Sequence, residues 1–128
     1  MTQRASDLVV AVVDDDERIL RSLEYLLESA DYVVRLFASG TALLHSRRLC
    51  EIDCLISDID MPGIDGFELL RLVRAARPGL PVILITGYPD TLKHLPAVAG
   101  RNPRVFTKPF HGPELLAALS ESLRNPRA

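Results

Sequence analysis

Apolar β-branched runs alternate along the chain with segments whose apolar residues recur at helical spacing. Leu8 to Val13 is apolar on consecutive positions, which predicts a strand buried on both faces. From Glu17 to about Ala30 the period changes. Leu20, Leu23, Leu27 and Ala30 share one stripe while Arg18, Arg21, Glu24 and Glu28 lie largely off it, as in an amphipathic helix. Tyr32 to Phe37 reads as a second strand, and Ser39 as the N-cap of a helix running to about Leu49. Asp53 to Ser57 forms a short third strand that runs into Asp58. A Pro-Gly loop, Met61 to Gly66, then leads into a helix from Phe67 to about Arg77. Pro81 to Ile85 is a fourth strand, followed at once by Thr86 and Gly87. Arg104 to Thr107 is a weak fifth, and Pro113 opens a final helix to about Leu123 as a first-turn proline. Five βα units in succession imply an α/β fold with a parallel sheet, right-handed crossovers and helices on both faces. Residues 88–104 fit this scheme poorly, because Pro89, Pro96 and Pro103 punctuate them with Gly100 and Asn102 nearby. An interior proline costs a helix about 3 kcal/mol, so the fourth helix is expected to be short, broken or irregular.

Composition narrows the class. The 128 residues suit one domain, and 48% apolar with 25% charged residues is ordinary for a soluble globular protein. A chain of this length buries roughly two thirds of its unfolded surface, so it needs no disulfide or structural metal to fold. A net charge of −2 argues against direct nucleic-acid binding and against attraction to an anionic membrane. The longest apolar run, Leu8 to Val13, is far too short to span a bilayer, and no signal-peptide core precedes it. Cys50 and Cys54 form no metal-type spacing with His45, His94 and His111, and Cys54, inside an apolar run, is expected to be a buried free thiol. A reduced, cytoplasmic domain is the expectation.

In an open parallel sheet, ligands bind beyond the carboxyl ends of the strands. Strand one ends in Asp14 and Asp15, strand three in Asp58, strand four in Thr86 and strand five in Lys108. If strands one and three are neighbours, the three carboxylates come within a few ångströms of one another. Two like charges 4 Å apart repel by about 4 kcal/mol at an effective dielectric of 20, so such a cluster holds protons or a cation. Hard oxygen ligands with room for water suit Mg²⁺. Thr86, one strand spacing of about 4.8 Å from Asp58, can face it directly, whereas a group on strand five, roughly 10 Å away, needs the reach of a lysine. Carboxylate, hydroxyl, ammonium and divalent cation together suit a phosphoryl group, with Asp58 as the nucleophile that forms an acyl phosphate. The bland alternatives are a turn at Asp14 to Asp16 that caps the next helix, a turn-capping Thr86 and a surface Lys108. Asp16 itself is assigned to a cap or to solvent.

These residues resemble the receiver domain of two-component response regulators. The resemblance rests on Val12-Val13-Asp14-Asp15-Asp16-Glu17, Leu55-Ile56-Ser57-Asp58-Ile59-Asp60-Met61-Pro62-Gly63-Ile64-Asp65-Gly66, Ile83-Leu84-Ile85-Thr86-Gly87 and Lys108-Pro109-Phe110, and spans residues 7–124. It implies a flavodoxin-like sheet of order 2-1-3-4-5. It also implies that Asp58 accepts a phosphoryl group from a sensor histidine kinase or a histidine phosphotransfer protein. Asp15, Asp58 and the backbone carbonyl of Asp60 would bind Mg²⁺ directly, Asp14 through water, while Thr86 swings toward the phosphoryl oxygens and Lys108 pairs with one of them. A cis Lys108–Pro109 peptide is implied as well, and so is a docking role for the first helix, including Arg18 and Arg21, whose other reading is solvated surface. The target would be a downstream protein or an attached output domain.

Three departures from the family pattern stand out. The aromatic usually found three residues before the lysine is replaced by Val105, with Phe106 one residue later. The fourth helix is broken by proline, which leaves dimerisation through that face open. Asp60 is acidic two residues past the phosphoacceptor, and with Tyr88, two past Thr86, it is expected to tune the phosphoryl lifetime. Two alternatives remain: a degenerate receiver acting as a constitutive protein-binding module, motivated by Val105 and the broken helix, and a phosphatase of the haloacid-dehalogenase type, suggested by Asp58-Ile59-Asp60. In the second, however, an acidic pair should follow the lysine, whereas Asp14 and Asp15 precede everything. As a receiver, the domain would be no enzyme beyond its own phosphorylation and dephosphorylation.

Overall fold

The computed structural model of the chain describes residues 8–95 and 102–124. Strands β1 (Val9–Val13), β2 (Val33–Phe37), β3 (Cys54–Asp58), β4 (Val82–Thr86) and β5 (Arg104–Thr107) alternate with helices α1 (Glu17–Ser29), α2 (Gly40–His45), α3 (Gly66–Ala76) and α4 (Gly112–Arg124). The strands form one parallel sheet in the order β2-β1-β3-β4-β5, each within a residue of its expected position. This is the order that the resemblance implies.

The period-two alternation of the strands builds two cores. Ala11, Val13, Leu55, Val82 and Leu84 face Leu43 of α2 and Leu69, Leu70 and Val73 of α3. Val10, Val12, Cys54, Ile56, Ile83 and Ile85 face Leu20, Leu23 and Leu27 of α1 and Leu115 and Leu119 of α4. β1, β3 and β4 are thus buried on both sides, which is why they read as continuous apolar runs. Cys54 is buried and Cys50 exposed, and neither is in a disulfide. Among the described residues no helix is long and apolar enough to cross a membrane.

Helix ends carry most of the local detail. Asp16 caps α1 by accepting from the Arg18 N–H at 2.9 Å, and Asp65 caps α3 by accepting from the Glu68 N–H at 2.9 Å. At the C-terminus of α1 the Tyr32 N–H bonds the Leu27 carbonyl and the Asp31 N–H bonds that of Glu28, with Asp31 at φ 70° in the place usually given to glycine. α2 is shorter than the sequence suggests. Ser46 donates to the Leu43 carbonyl and accepts from the Arg48 N–H, and Arg47 turns left-handed at φ 60°, so the helix stops at His45 and gives way to a 3-10 turn at Leu49–Glu51. The irregular region after β4 begins as a 3-10 segment, Pro89–His94, in place of an α-helix. The continuation expected to be broken by Pro96 and Gly100 lies outside the described residues.

Arg77, just past α3, donates through Nη1 to the carbonyls of Leu49 and Ile52 and ties the turn before β3 to the helix after it. Charge-assisted bonds of this kind contribute about 1.5–3 kcal/mol each when both partners are desolvated. Arg77 is half-buried, so Arg77→Ala is expected to lower the unfolding free energy by about 1–2 kcal/mol in a urea titration, with an unchanged slope.

Candidate functional site

The parallel register brings the carboxyl ends of the strands to one edge. β1 pairs with β3 through Val13 and Ser57, so the next residues, Asp14 and Asp58, emerge side by side. β3 pairs with β4 through Asp58 and Ile85, and β4 with β5 through Thr86 and Thr107. The ladder extends one step past each strand: the Asp14 N–H donates to the Phe37 carbonyl, Ile59 to Ile85, and Lys108 to Thr86 at 2.7 Å. The first residues of the loops are therefore held as firmly as the sheet.

One carboxylate oxygen each from Asp14, Asp15 and Asp58 lies within 4.8 Å of the others. Asp14 and Asp58 are buried, Asp58 to 5% exposure, while Asp15 is exposed. Asp14 accepts the Asp16 N–H at 2.8 Å through Oδ1, so it closes the turn into α1 and still offers Oδ2 to the site. The turn reading and the site reading of Asp14 thus hold together, and Asp16 is the cap. Lys108 Nζ stands 3.3 Å from Asp58 Oδ1 and 3.7 Å from Asp14 Oδ2. Asp58 Oδ1 is fully covered, and among the described residues the Lys108 ammonium is the charged group that faces it, as an ion pair and not as a well-aligned hydrogen bond. The Lys108–Pro109 peptide is cis.

Burial, reinforced by the neighbouring Asp14 and opposed by Lys108, pushes the Asp58 carboxyl up to about 6. Burial raises Asp14 also, against the pull of the Asp16 N–H and Lys108. For Lys108 burial favours the neutral amine, but Asp58 and Asp14 together outweigh it and the pKa ends above the ordinary lysine value. The edge carries more negative charge than one ammonium neutralises. Two buried carboxylates and an exposed third form a donor set of hard oxygens, which fits a small divalent cation.

Thr86 is fully buried and its Oγ1 donates to Asp60 Oδ2 at 2.7 Å. It also accepts from the Tyr88 N–H at 2.9 Å, while the Tyr88 ring is 67% exposed. Val105 packs against the core on the α2–α3 side, and Phe106 against the opposite one, where its ring meets Phe110 edge-on at 6.4 Å. A one-residue shift along a strand changes the face, so Phe106 does not take the place of an aromatic at 105. The structure therefore gathers Asp14, Asp15, Asp58 and Lys108 in one cluster and ties Asp60 and Tyr88 to Thr86. It leaves Val105 and Phe106 in the two cores. Arg18 and Arg21 are exposed and engaged with Asp16, Glu17 and Glu24.

Three contributors escaped the sequence reading. Thr91 Oγ1 lies 3.3 Å from Thr86 Oγ1, in a 3-10 segment with no periodicity to reveal it. Asp65 caps α3, and its signal was present as the Asp65-x-x-Glu68 capping pattern. Gly66 lets α3 approach the site, since a Cβ there would stand 2.5 Å from the Asp58 carbonyl oxygen and 2.6 Å from Ile59 Cα.

Residues 10–120 match the response regulator receiver domain family, and the chain belongs to it. It is 33% identical over 115 residues to the transcriptional regulatory protein FixJ of Bradyrhizobium diazoefficiens, covering 90% of this chain and 56% of that protein. It is 32% identical over 124 residues to the response regulator TodT of Pseudomonas putida, covering 97% and 54%. The chain thus spans about half the length of these curated relatives. Among solved structures, the signal receiver domain of an HD domain-containing protein from Pseudomonas fluorescens Pf-5 superposes with a TM-score of 0.84 at 31% identity, covering 97% of this chain and 98% of that one. The BeF3-activated receiver domain of DrrB superposes with a TM-score of 0.79 at 28% identity, covering 92% and 98%. Family membership favours a signalling domain over the haloacid-dehalogenase alternative.

The raised Asp58 pKa has a signed consequence for stability. The folded state holds a proton that the unfolded chain, with an ordinary value of 3.8, has already lost, so stability falls as pH rises from about 4 to about 6. Two pKa units correspond to about 3 kcal/mol. In metal-free buffer at pH 7, Asp58→Asn is expected to melt several degrees above the wild type, with the gap closing near pH 4. Equal melting temperatures across this range would contradict the site electrostatics.

Proposed function

We propose that this domain receives a phosphoryl group on Asp58 in a Mg²⁺-dependent reaction and signals through the conformational change that follows. The observation that carries this reading is the crowded carboxylate cluster of Asp14, Asp15 and Asp58, clamped by Lys108 on the Asp58 oxygen. Asp15, Asp58 and the Asp60 backbone carbonyl would hold Mg²⁺ directly, with Asp14 acting through water. When bound, the cation offsets charge on the carboxylates and on the incoming phosphoryl oxygens. Asp58 supplies the attacking oxygen: an O–P bond forms as the donor's P–N bond breaks, and the released imidazole takes up a proton. Lys108 stays within reach of one phosphoryl oxygen and Thr86 donates its hydroxyl proton to another. The same carboxylates and water then return the phosphoryl group as phosphate, with Asp60 and Tyr88 setting how long it survives.

The donor would be a histidine kinase or a phosphotransfer protein. A groove of about 630 Å³ between α1 and the start of the loop after β5 supports this, because Ile19, Leu26, Pro109 and Phe110 line it and Lys108 opens into it from the site. Lys108 is common to the groove and the site, so a donor protein seated on this apolar surface would lie beside the Asp58 cluster. The functional unit would be residues 7–124, working in the cytoplasm. FixJ is named as a transcriptional regulator, and by that likeness the target of this domain would be an attached or separate output module, with no nucleic acid bound by the receiver itself. Val105 and the 3-10 segment after β4 would give a readout different from an aromatic switch.

Incubation with Mg²⁺ and a small acyl-phosphate donor is expected to add one phosphoryl group to the intact mass. Asp58→Asn, or chelation of the metal, is expected to abolish the gain. A wild type that neither gains mass nor binds a stable phosphoryl mimic would instead support a constitutive binding module.

A further inference from the structure

The hydroxyl of Thr86 is the centre of a small network at the end of β4. Its Oγ1 donates to Asp60 Oδ2 at 2.7 Å and accepts from the Tyr88 N–H at 2.9 Å. Thr91 Oγ1 is 3.3 Å away, but its own proton goes to the Tyr88 carbonyl at 2.8 Å. A threonine hydroxyl has one proton to give. Of the acceptors around it, the Asp60 carboxylate is the nearest and the charged one, and a bond to an ionised acceptor is roughly twice as strong as a neutral one. The proton is therefore committed to Asp60. On the neighbouring strand, the buried Asp58 Oδ1 is faced by Lys108 Nζ at 3.3 Å, and Thr86 gives it no proton.

We propose that Asp60 is a positioning residue whose carboxylate competes, for the single proton of Thr86, with the oxygens of a group transferred to Asp58. The proposal rests on the phosphoacceptor reading of Asp58. For Thr86 to serve a new acceptor, Oγ1 must leave Asp60, and the same rotation takes the acceptor away from the Tyr88 N–H. The change then passes into the 3-10 segment Pro89–His94, whose first turn is closed by the Thr91 N–H on the Tyr88 carbonyl at 2.9 Å. Backbone and side chain of Asp60 would have separate tasks: the carbonyl would help hold a cation, while the carboxylate latches Thr86. A stronger latch makes the switch harder to throw and tighter in its resting state.

Removing a negative charge next to the site also favours any anion there, but that effect does not pass through Thr86, so the two causes separate in a double-mutant cycle. The experiment titrates beryllofluoride, a stable phosphoryl mimic, into the full chain with Mg²⁺. Wild type, Asp60→Ala and the isosteric Asp60→Asn are compared, each with Thr86 intact and with Thr86→Ala. Asp60→Ala is expected to tighten binding about tenfold and Asp60→Asn by less, with the gain vanishing in the Thr86→Ala background. In the unliganded protein the Tyr88 amide should exchange its hydrogen faster in Asp60→Ala than in wild type. A gain of equal size without the Thr86 hydroxyl, or no gain, overturns the latch. Should Asp60→Ala fail to fold, Asp60→Asn carries the same comparison. A wild type that binds no beryllofluoride overturns the phosphoacceptor reading and the latch with it. Binding by the wild type that is lost in Asp58→Asn, titrated alongside, upholds that reading whatever the Asp60 variants do.

Discussion

Two carboxylates buried at the ends of adjacent parallel strands repel one another, and the rest of this structure contains that repulsion. The β1–β3 register leaves Asp14 and Asp58 no room to diverge, and burial removes the water that would otherwise screen them. At contact distance the repulsion is of the order of 4 kcal/mol even with a generous dielectric. Lys108 offsets part of it, at 3.3 Å from one carboxylate and 3.7 Å from the other. Burial first, and the repulsion that Lys108 leaves uncompensated second, raise the Asp58 carboxyl to about 6 and make the site take up a proton or a cation.

Such a site survives only on a stiff support. The two cores sandwich β3, β4 and all of β1 after Val9, and ladder bonds continue past the strands to fix Asp14, Ile59 and Lys108. Gly66 brings the first turn of α3 against the backbone of Asp58 and Ile59, where any side chain would force the helix away. Unfavourable electrostatics are thus localised at one edge and tolerated because the remainder is well packed. The same division would let the proposed chemistry at Asp58 reach the surface. Thr86 belongs to a buried strand, but its hydroxyl holds the start of the exposed 3-10 segment, so a change in that one bond is felt outside the core.

The strands and the charged cluster were legible in the sequence for a shared reason. A strand buried on both faces must be apolar throughout, so the first polar residue after each run marks its end, and in a parallel sheet those ends meet at one edge. Asp14, Asp58, Thr86 and Lys108 could be placed on that ground. The end of α2 could not, because it depends on Arg47 adopting a left-handed conformation that no periodicity announces. Nor could the partner of Thr86. Whether a hydroxyl turns toward Asp58 or Asp60 is a choice of rotamer, which spacing along the chain does not reveal. Phe106 shows a further limit: a neighbouring aromatic looks like a substitute for position 105 in the sequence, yet alternation sends it to the opposite core.

The most direct measurement of this account is the titration of the Asp58 side-chain carboxyl, followed by carbon NMR in metal-free buffer and again with saturating Mg²⁺. A midpoint near 6 is expected without the cation, well above the ordinary aspartate value of 3.8, with a fall of at least one unit when Mg²⁺ is added. A midpoint at the ordinary value, unmoved by Mg²⁺, would contradict it.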